Sequence, residues 1–108
     1  SSTMMEAIKS LLGLGPKVDY AELKKQGAII LDVRSKGEFA GGHIKGSVNI
    51  PVDSLPNNTS RFTDKNKPII TCCASGMRSG MAKNILKSKG YTQVYNGGSW
   101  MRLQHKLN

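Results

Sequence analysis

The sequence predicts one α/β domain with a mostly parallel sheet flanked by helices on both faces. Three observations lead there. Ala28-Ile29-Ile30-Leu31 and Ile69-Ile70-Thr71-Cys72 are short, nearly continuous apolar runs, the pattern of strands buried on both faces. Segments of helical periodicity lie between and after them, so strands and helices alternate. A length of 108 residues allows one domain, and a hydrophobic content of 38% suffices for one compact core rather than a disordered chain.

The elements follow in order. Met4, Met5, Ile8, Leu11 and Leu12 recur at helical spacing, with Thr3 and Glu6 as a capping box and Gly13 and Gly15-Pro16 as stops. Residues 1–16 are therefore expected to form an amino-terminal helix, with Ser1-Ser2-Thr3 read as an expression scar, ahead of a domain over 17–108. Asp19 and Glu22 open a short helix through Ala21, Leu23 and Lys24 that closes near Gly27. The first strand, Ala28–Leu31, comes next. Ser35 and Glu38 repeat the capping pattern before Gly41-Gly42, and Ser47–Ile50 reads as a short strand before Pro51. Pro51, Pro56, Asn57, Asn58 and Asn66 mark residues 51–67 as loop with at most a short helix. After the strand ending at Cys72, Met81, Ala82, Ile85 and Leu86 share one face of a helix over Ser79–Lys89, stopped by Gly90. Val94-Tyr95 is a last short strand, and Gly97-Gly98 leads into a helix carrying Trp100, Met101 and Leu103.

Composition removes several classes of function. No apolar run approaches the roughly 20 residues that cross a membrane, so no membrane partner is expected. The net charge of +9 raises nucleic acid as a partner. The lysines are scattered, however, and Lys83 and Lys87 have helical spacing without interleaved aromatic rings for base stacking. A solvated basic surface that attracts small anions is the favoured reading, and no nucleic acid is expected. Cys72 and Cys73 are the whole cysteine supply. Neighbouring cysteines point apart and rarely pair, and two of them without clustered histidines make a poor metal site. Free thiols suggest a reducing compartment, the cytoplasm, or the periplasm if a signal peptide has been removed.

The segment Cys73-Ala74-Ser75-Gly76-Met77-Arg78-Ser79 joins the strand ending at Cys72 to the following helix, at the sheet end where ligands bind in such folds. A tight turn into a helix directs several backbone N–H groups inward and forms a cradle for an anion. The same field favours the thiolate of Cys73, the nucleophilic form. Gly76 allows the ring to close, and Arg78 supplies a permanent positive charge able to face a thiolate, a persulfide or an oxyanion. Ser79 also serves as a helix cap. The plainer reading of Cys73, a small buried hydrophobe, fits poorly with glycine and arginine at these offsets; for Cys72 it fits well.

Cys73-x-x-Gly76-x-Arg78-Ser79 resembles the active-site loop of single-domain rhodaneses, a class of sulfurtransferases. A second block resembles the other signature of that superfamily: Leu31-Asp32-Val33-Arg34, Glu38-Phe39, and Gly42-His43-Ile44-x-Gly46-Ser47-x-Asn49-Ile50-Pro51. Leu86-x-x-x-Gly90-Tyr91 and Tyr95-x-Gly97-Gly98-x-Trp100 resemble its ending, and together these motifs cover roughly residues 17–102. The resemblance implies a five-stranded sheet and a cycle of Cys73 between thiolate and persulfide. Thiosulfate, a small anionic donor, would supply the sulfur. Cyanide or a thiol would accept it, with a protein acceptor as a variant that makes the domain a persulfide carrier. Ala74, Ser75, Gly76, Met77, Arg78 and Ser79 would bind the substrate. No metal or other cofactor enters that cycle. The resemblance further suggests that Asp32 and Arg34 brace the loop by ion pairing. His43, between Gly42 and Ile44, is read as fixing a turn by hydrogen bonding in preference to acting as a base.

Two rivals remain at this stage. Counted from Cys72, five residues precede Arg78 and Ser79 follows, which is the C-x5-R-S/T spacing of cysteine phosphatases. The register of the strand and the position of Gly76 favour Cys73. A non-catalytic binding domain on the same fold is the other rival, and retention of Cys73 with Arg78 speaks against it.

Overall fold

A computed structural model of the chain describes residues 17–108. The expected helix over 1–16, with Thr3 and Glu6 as its capping box, lies outside the described residues. Helix α1 (Tyr20–Lys25) starts at Asp19, whose side chain accepts the Glu22 N–H at 3.0 Å. Strand β1 (Ile29–Asp32) follows, then helix α2 (Lys36–Ala40). Ser35 and Glu38 form a reciprocal capping box there, which offsets the low intrinsic stability of a five-residue helix. Strand β2 (Val48–Asn49) leads into a 3₁₀ helix (Val52–Asn57). Strand β3 (Ile69–Cys73), helix α3 (Met77–Ser88), strand β4 (Val94–Ser99) and helix α4 (Trp100–Leu107) complete the chain.

The strands lie in the order β2-β1-β3-β4 and all pairings are parallel, with Ile29 opposite Ile69, Asp32 opposite Cys72, and Ile69 opposite Val94. Four strands stand among the described residues where the resemblance implied five. Residues 51–68 add none, and form the 3₁₀ segment followed by turns.

Alternation along the strands divides the core in two. Leu31, Val33, Ile69 and Cys73 face Ala82 and Leu86 of α3 and Val52 and Leu55 of the 3₁₀ segment. Ile30, Ile70 and Cys72 face Leu103 of α4, with Tyr20 and Leu23 of α1 packed at the margin. Consecutive cysteines therefore enter different cores.

Three boundaries depart from expectation around the loop. Strand β3 runs through Cys73, and α3 opens at Met77, two residues before Ser79. Strand β4 continues through Gly97-Gly98, which periodicity had read as a lead-in to the last helix. Gly97 is there because nothing larger fits: an added Cβ would lie 2.8 Å from the Thr71 carbonyl oxygen and 2.9 Å from Ile70 Cγ2. Beyond Thr71–Asn96 the register shifts, so that Cys73 pairs with Ser99 and the extra residue of β4 forms a bulge beside the loop.

Candidate active site

Strand β3 is buried along its whole length and carries both thiols to the carboxyl end of the sheet. Cys72 and Cys73 are each 0% exposed, yet their environments differ. Burial, with Asp32 beside it, pushes the Cys72 thiol up to about 12. It stays neutral near pH 7. Burial also acts to raise Cys73, but hydrogen bonds from the Ser79 hydroxyl and from the amides of Ser79, Gly76 and Ser75 outweigh it, so this thiol lies below its ordinary value.

The geometry of those bonds follows from the turn. Gly76 caps α3 with φ +109°, a backbone conformation that a side chain would strain. Its N–H reaches Cys73 Sγ at 2.9 Å, and the Ser79 N–H reaches the same sulfur at 3.4 Å. Ala74 and Ser75 are exposed at the crest, and Met77 is 78% exposed.

Ser79 is fully buried and does more than cap a helix. Its hydroxyl oxygen lies 3.4 Å from Cys73 Sγ and accepts from the thiol; to donate to the thiolate, its single proton turns from Asn96 Oδ1 to the sulfur. The same hydroxyl donates to Asn96 Oδ1 at 2.6 Å and lies 3.0 Å from the Gly76 carbonyl. Asn96 Oδ1 also accepts the Gly98 N–H at 3.0 Å, tying the β4 bulge to the loop. Neither Asn96 nor the link from Ser79 to the sulfur was anticipated. The one signal lay in Tyr95-x-Gly97-Gly98, where Asn96 occupies the unspecified position.

Arg78 makes no hydrogen bond to the sulfur, which receives its bonds from Gly76 and Ser79. Its guanidinium makes two hydrogen bonds to Glu38, at 2.7 and 3.0 Å, joining the first turn of α3 to α2. Arg78, together with the Ser35 backbone N–H, holds the Glu38 carboxyl down at about 2. From the sequence, Glu38 is expected to cap α2 and belongs to the second signature block, with no partner in α3 foreseen. It also holds Arg78: Oε1 takes the Ser35 N–H at 3.1 Å and one Arg78 bond, and Oε2 takes the other Arg78 bond.

Asp32 and Arg34 form a buried ion pair at 2.7 Å. Arg34 also donates to the Gly42 carbonyl at 2.7 Å, and its guanidinium carbon lies 4.7 Å from the Trp100 ring centroid. A buried charge is tolerable only when so enclosed by partners. His43 stacks on Phe39 at 3.7 Å between centroids, and its Nδ1 lies 2.7 Å from the Phe39 carbonyl oxygen. A carbonyl can only accept, so the proton sits on Nδ1, and the ring is anchored within its own turn.

Comparison with known proteins agrees with this geometry. The family model for the rhodanese-like domain matches residues 17–101. YqhL of Bacillus subtilis is 41% identical over 70 residues, which cover 64% of this chain and 54% of that protein. The thiosulfate sulfurtransferase PspE of Escherichia coli is 36% identical over 69 residues, covering 63% of this chain and 66% of that one. The chain thus spans about half to two thirds of the length of these curated relatives. Among solved structures, an E. coli rhodanese with anions superposes with a TM-score of 0.66 at 33% identity, covering 69% of this chain and 89% of the other. The human single-domain sulfurtransferase TSTD1 gives 0.62 at 29% identity, covering 74% and 86%. A parallel sheet with a cysteine-headed loop at its carboxyl edge, two signatures in order and a family match over most of its length together place this chain in the rhodanese-like domain family.

Proposed function

We propose that this chain is a sulfurtransferase that carries one sulfane sulfur as a persulfide on Cys73, taken from thiosulfate and passed to cyanide or a thiol. The observation that supports it best is the convergence of the Gly76 and Ser79 N–H groups on Cys73 Sγ. These donors stabilise a negative sulfur, and oxyanion holes stabilise a negative oxygen in the same way. The Cys73 thiolate attacks the outer sulfur of thiosulfate. The new S–S bond forms as the S–S bond of thiosulfate breaks, and its electron pair leaves with sulfite. A nucleophilic acceptor then takes the outer sulfur, and the electron pair of that bond returns to Cys73.

The thiol is enclosed at rest, so loading requires the exposed Ala74–Ser75 crest to yield to the donor. Gly76 and Ser79 hold the sulfur, while Arg78 acts through Glu38 to brace the loop. Relatives named as thiosulfate sulfurtransferases, PspE among them, support the donor assignment. The phosphatase spacing starts from Cys72, whose thiol is buried in the opposite core and neutral, which argues against that rival. The test is direct. Reduced protein treated with thiosulfate should gain the mass of one sulfur, lose it to dithiothreitol, and produce thiocyanate from cyanide. Cys73→Ala should do none of these, and a wild-type protein equal to that control would reject the reading.

A further inference from the structure

Helices α3 and α4 leave the sheet on opposite faces although β3 and β4 are neighbours. A crevice must open where the two connections diverge, and ligands of parallel sheets gather at such points. A cavity of about 470 Å³ lies there, walled by Ala74 and Ser75 of the loop, Gly98 and Ser99 of β4, and Arg102 and Lys106 of α4. The two cations are exposed, and no ion pair among the described residues engages either. Four residues apart on a helix, they stand about 6 Å apart along its axis. The volume falls within the roughly 300–1,000 Å³ of organic-ligand sites and exceeds what cyanide or thiosulfate would fill.

We infer that this crevice seats the sulfur acceptor, and that the acceptor is a small organic thiol bearing two carboxylates, which Arg102 and Lys106 hold. The inference rests on the persulfide chemistry proposed above. The acceptor thiolate attacks the outer sulfur of the Cys73 persulfide. Its S–S bond forms as the Cys73 S–S bond breaks, the electron pair goes to Cys73 Sγ, and the proton on the outer sulfur leaves with the product persulfide. Arg78 is committed to Glu38, so the charge that selects an anionic acceptor comes from α4.

Protein preloaded with thiosulfate and desalted would be discharged with mercaptosuccinate, with neutral 2-mercaptoethanol and with cationic cysteamine, the rates corrected for thiolate fraction. Mercaptosuccinate should be preferred over 2-mercaptoethanol by on the order of tenfold, as placed charges allow. Arg102→Gln with Lys106→Gln should abolish that preference while the 2-mercaptoethanol rate stays within about twofold. Lys36→Gln with Arg61→Gln, at a separate cavity of about 330 Å³, removes the same charge and should retain it. No preference in the wild type, or equal losses in both double variants, would overturn the inference. Amide NMR shifts of Ala74, Ser75, Gly98 and Ser99 on titration with succinate read the site without any sulfur transfer. Shifts without persulfide formation would reject the enzyme reading and keep the crevice, whereas transfer without shifts would reject the crevice and keep the enzyme.

Discussion

Two adjacent thiols of one strand differ because a pleat sends them to different cores and only one meets amide donors. Cys72 lies among Ile30, Ile44, Ile70 and Leu103, while Cys73 receives the Gly76 N–H at 2.9 Å. Alkylation should therefore separate them. Cys73 should react with iodoacetamide at neutral pH with an inflection below that of an ordinary thiol, and Cys72 only after unfolding. Ser79→Ala removes one of the donors and should move that inflection upward. An unmoved inflection would remove the hydroxyl from the site. Cys72→Ala should keep persulfide formation and cost about 1 kcal/mol of packing; loss of sulfur loading with Cys72→Ala would move the nucleophile one residue back. The loop that Cys73 heads was legible in the sequence because glycine, arginine and serine follow it at informative offsets. The bond from Ser79 to sulfur and the support from Asn96 were not, because they arise from a register shift between β3 and β4 that alternation cannot reveal.

Among the elements, the sheet was the most legible part, since continuous apolar runs have few other uses in so short a chain. The extension of β4 through two glycines was hidden because glycine ordinarily weakens a strand, and only the close approach of Thr71 and Ile70 explains it. Gly97→Ala should therefore lose about 1–3 kcal/mol, read as a lowered melting temperature, and an unchanged melting temperature would show that the bulge can shift to admit a methyl group. The link between α2 and α3 makes a different kind of prediction. An exposed ion pair adds little to global stability. Glu38→Gln and Arg78→Ala should therefore melt near the wild type yet slow sulfur loading by similar factors, and the double variant should be no slower than either. Arg78→Lys should recover only part, because an ammonium cannot reproduce two parallel bonds. Since Arg78 and Ser35 hold the Glu38 carboxyl down at about 2, the link should persist as pH falls through the ordinary carboxylate range and fail only below it. Severe loss with Arg78→Ala beside a neutral Glu38→Gln would instead show that Arg78 meets the anion itself.

On the scale of the whole molecule, a net charge of +9 from 16 basic and 7 acidic residues is the dominant electrostatic fact. Among the described residues, only Arg34 and Arg78 are consumed in ion pairs. The remaining cations project a positive potential over much of the surface, and the Cys73 loop lies within it. Such a field raises the encounter rate of anions without adding a contact. It also decays with salt, since the screening length falls from about 10 Å at 0.1 M to about 3 Å at 1 M. Two alkylating agents of nearly equal size separate that effect from any change in the loop. Iodoacetate is anionic and iodoacetamide is neutral, and both must pass the Ala74–Ser75 crest to reach the same sulfur. At low salt the ratio of their rates should be shifted toward iodoacetate relative to a free thiol, and added sodium chloride should collapse that shift. Iodoacetamide should be nearly indifferent to salt. Loading by dianionic thiosulfate should fall more steeply than the iodoacetate rate, because steering scales with ligand charge. If both alkylating agents slowed together, salt would be acting on the loop itself, and the surplus lysines would have no part in bringing substrate to Cys73.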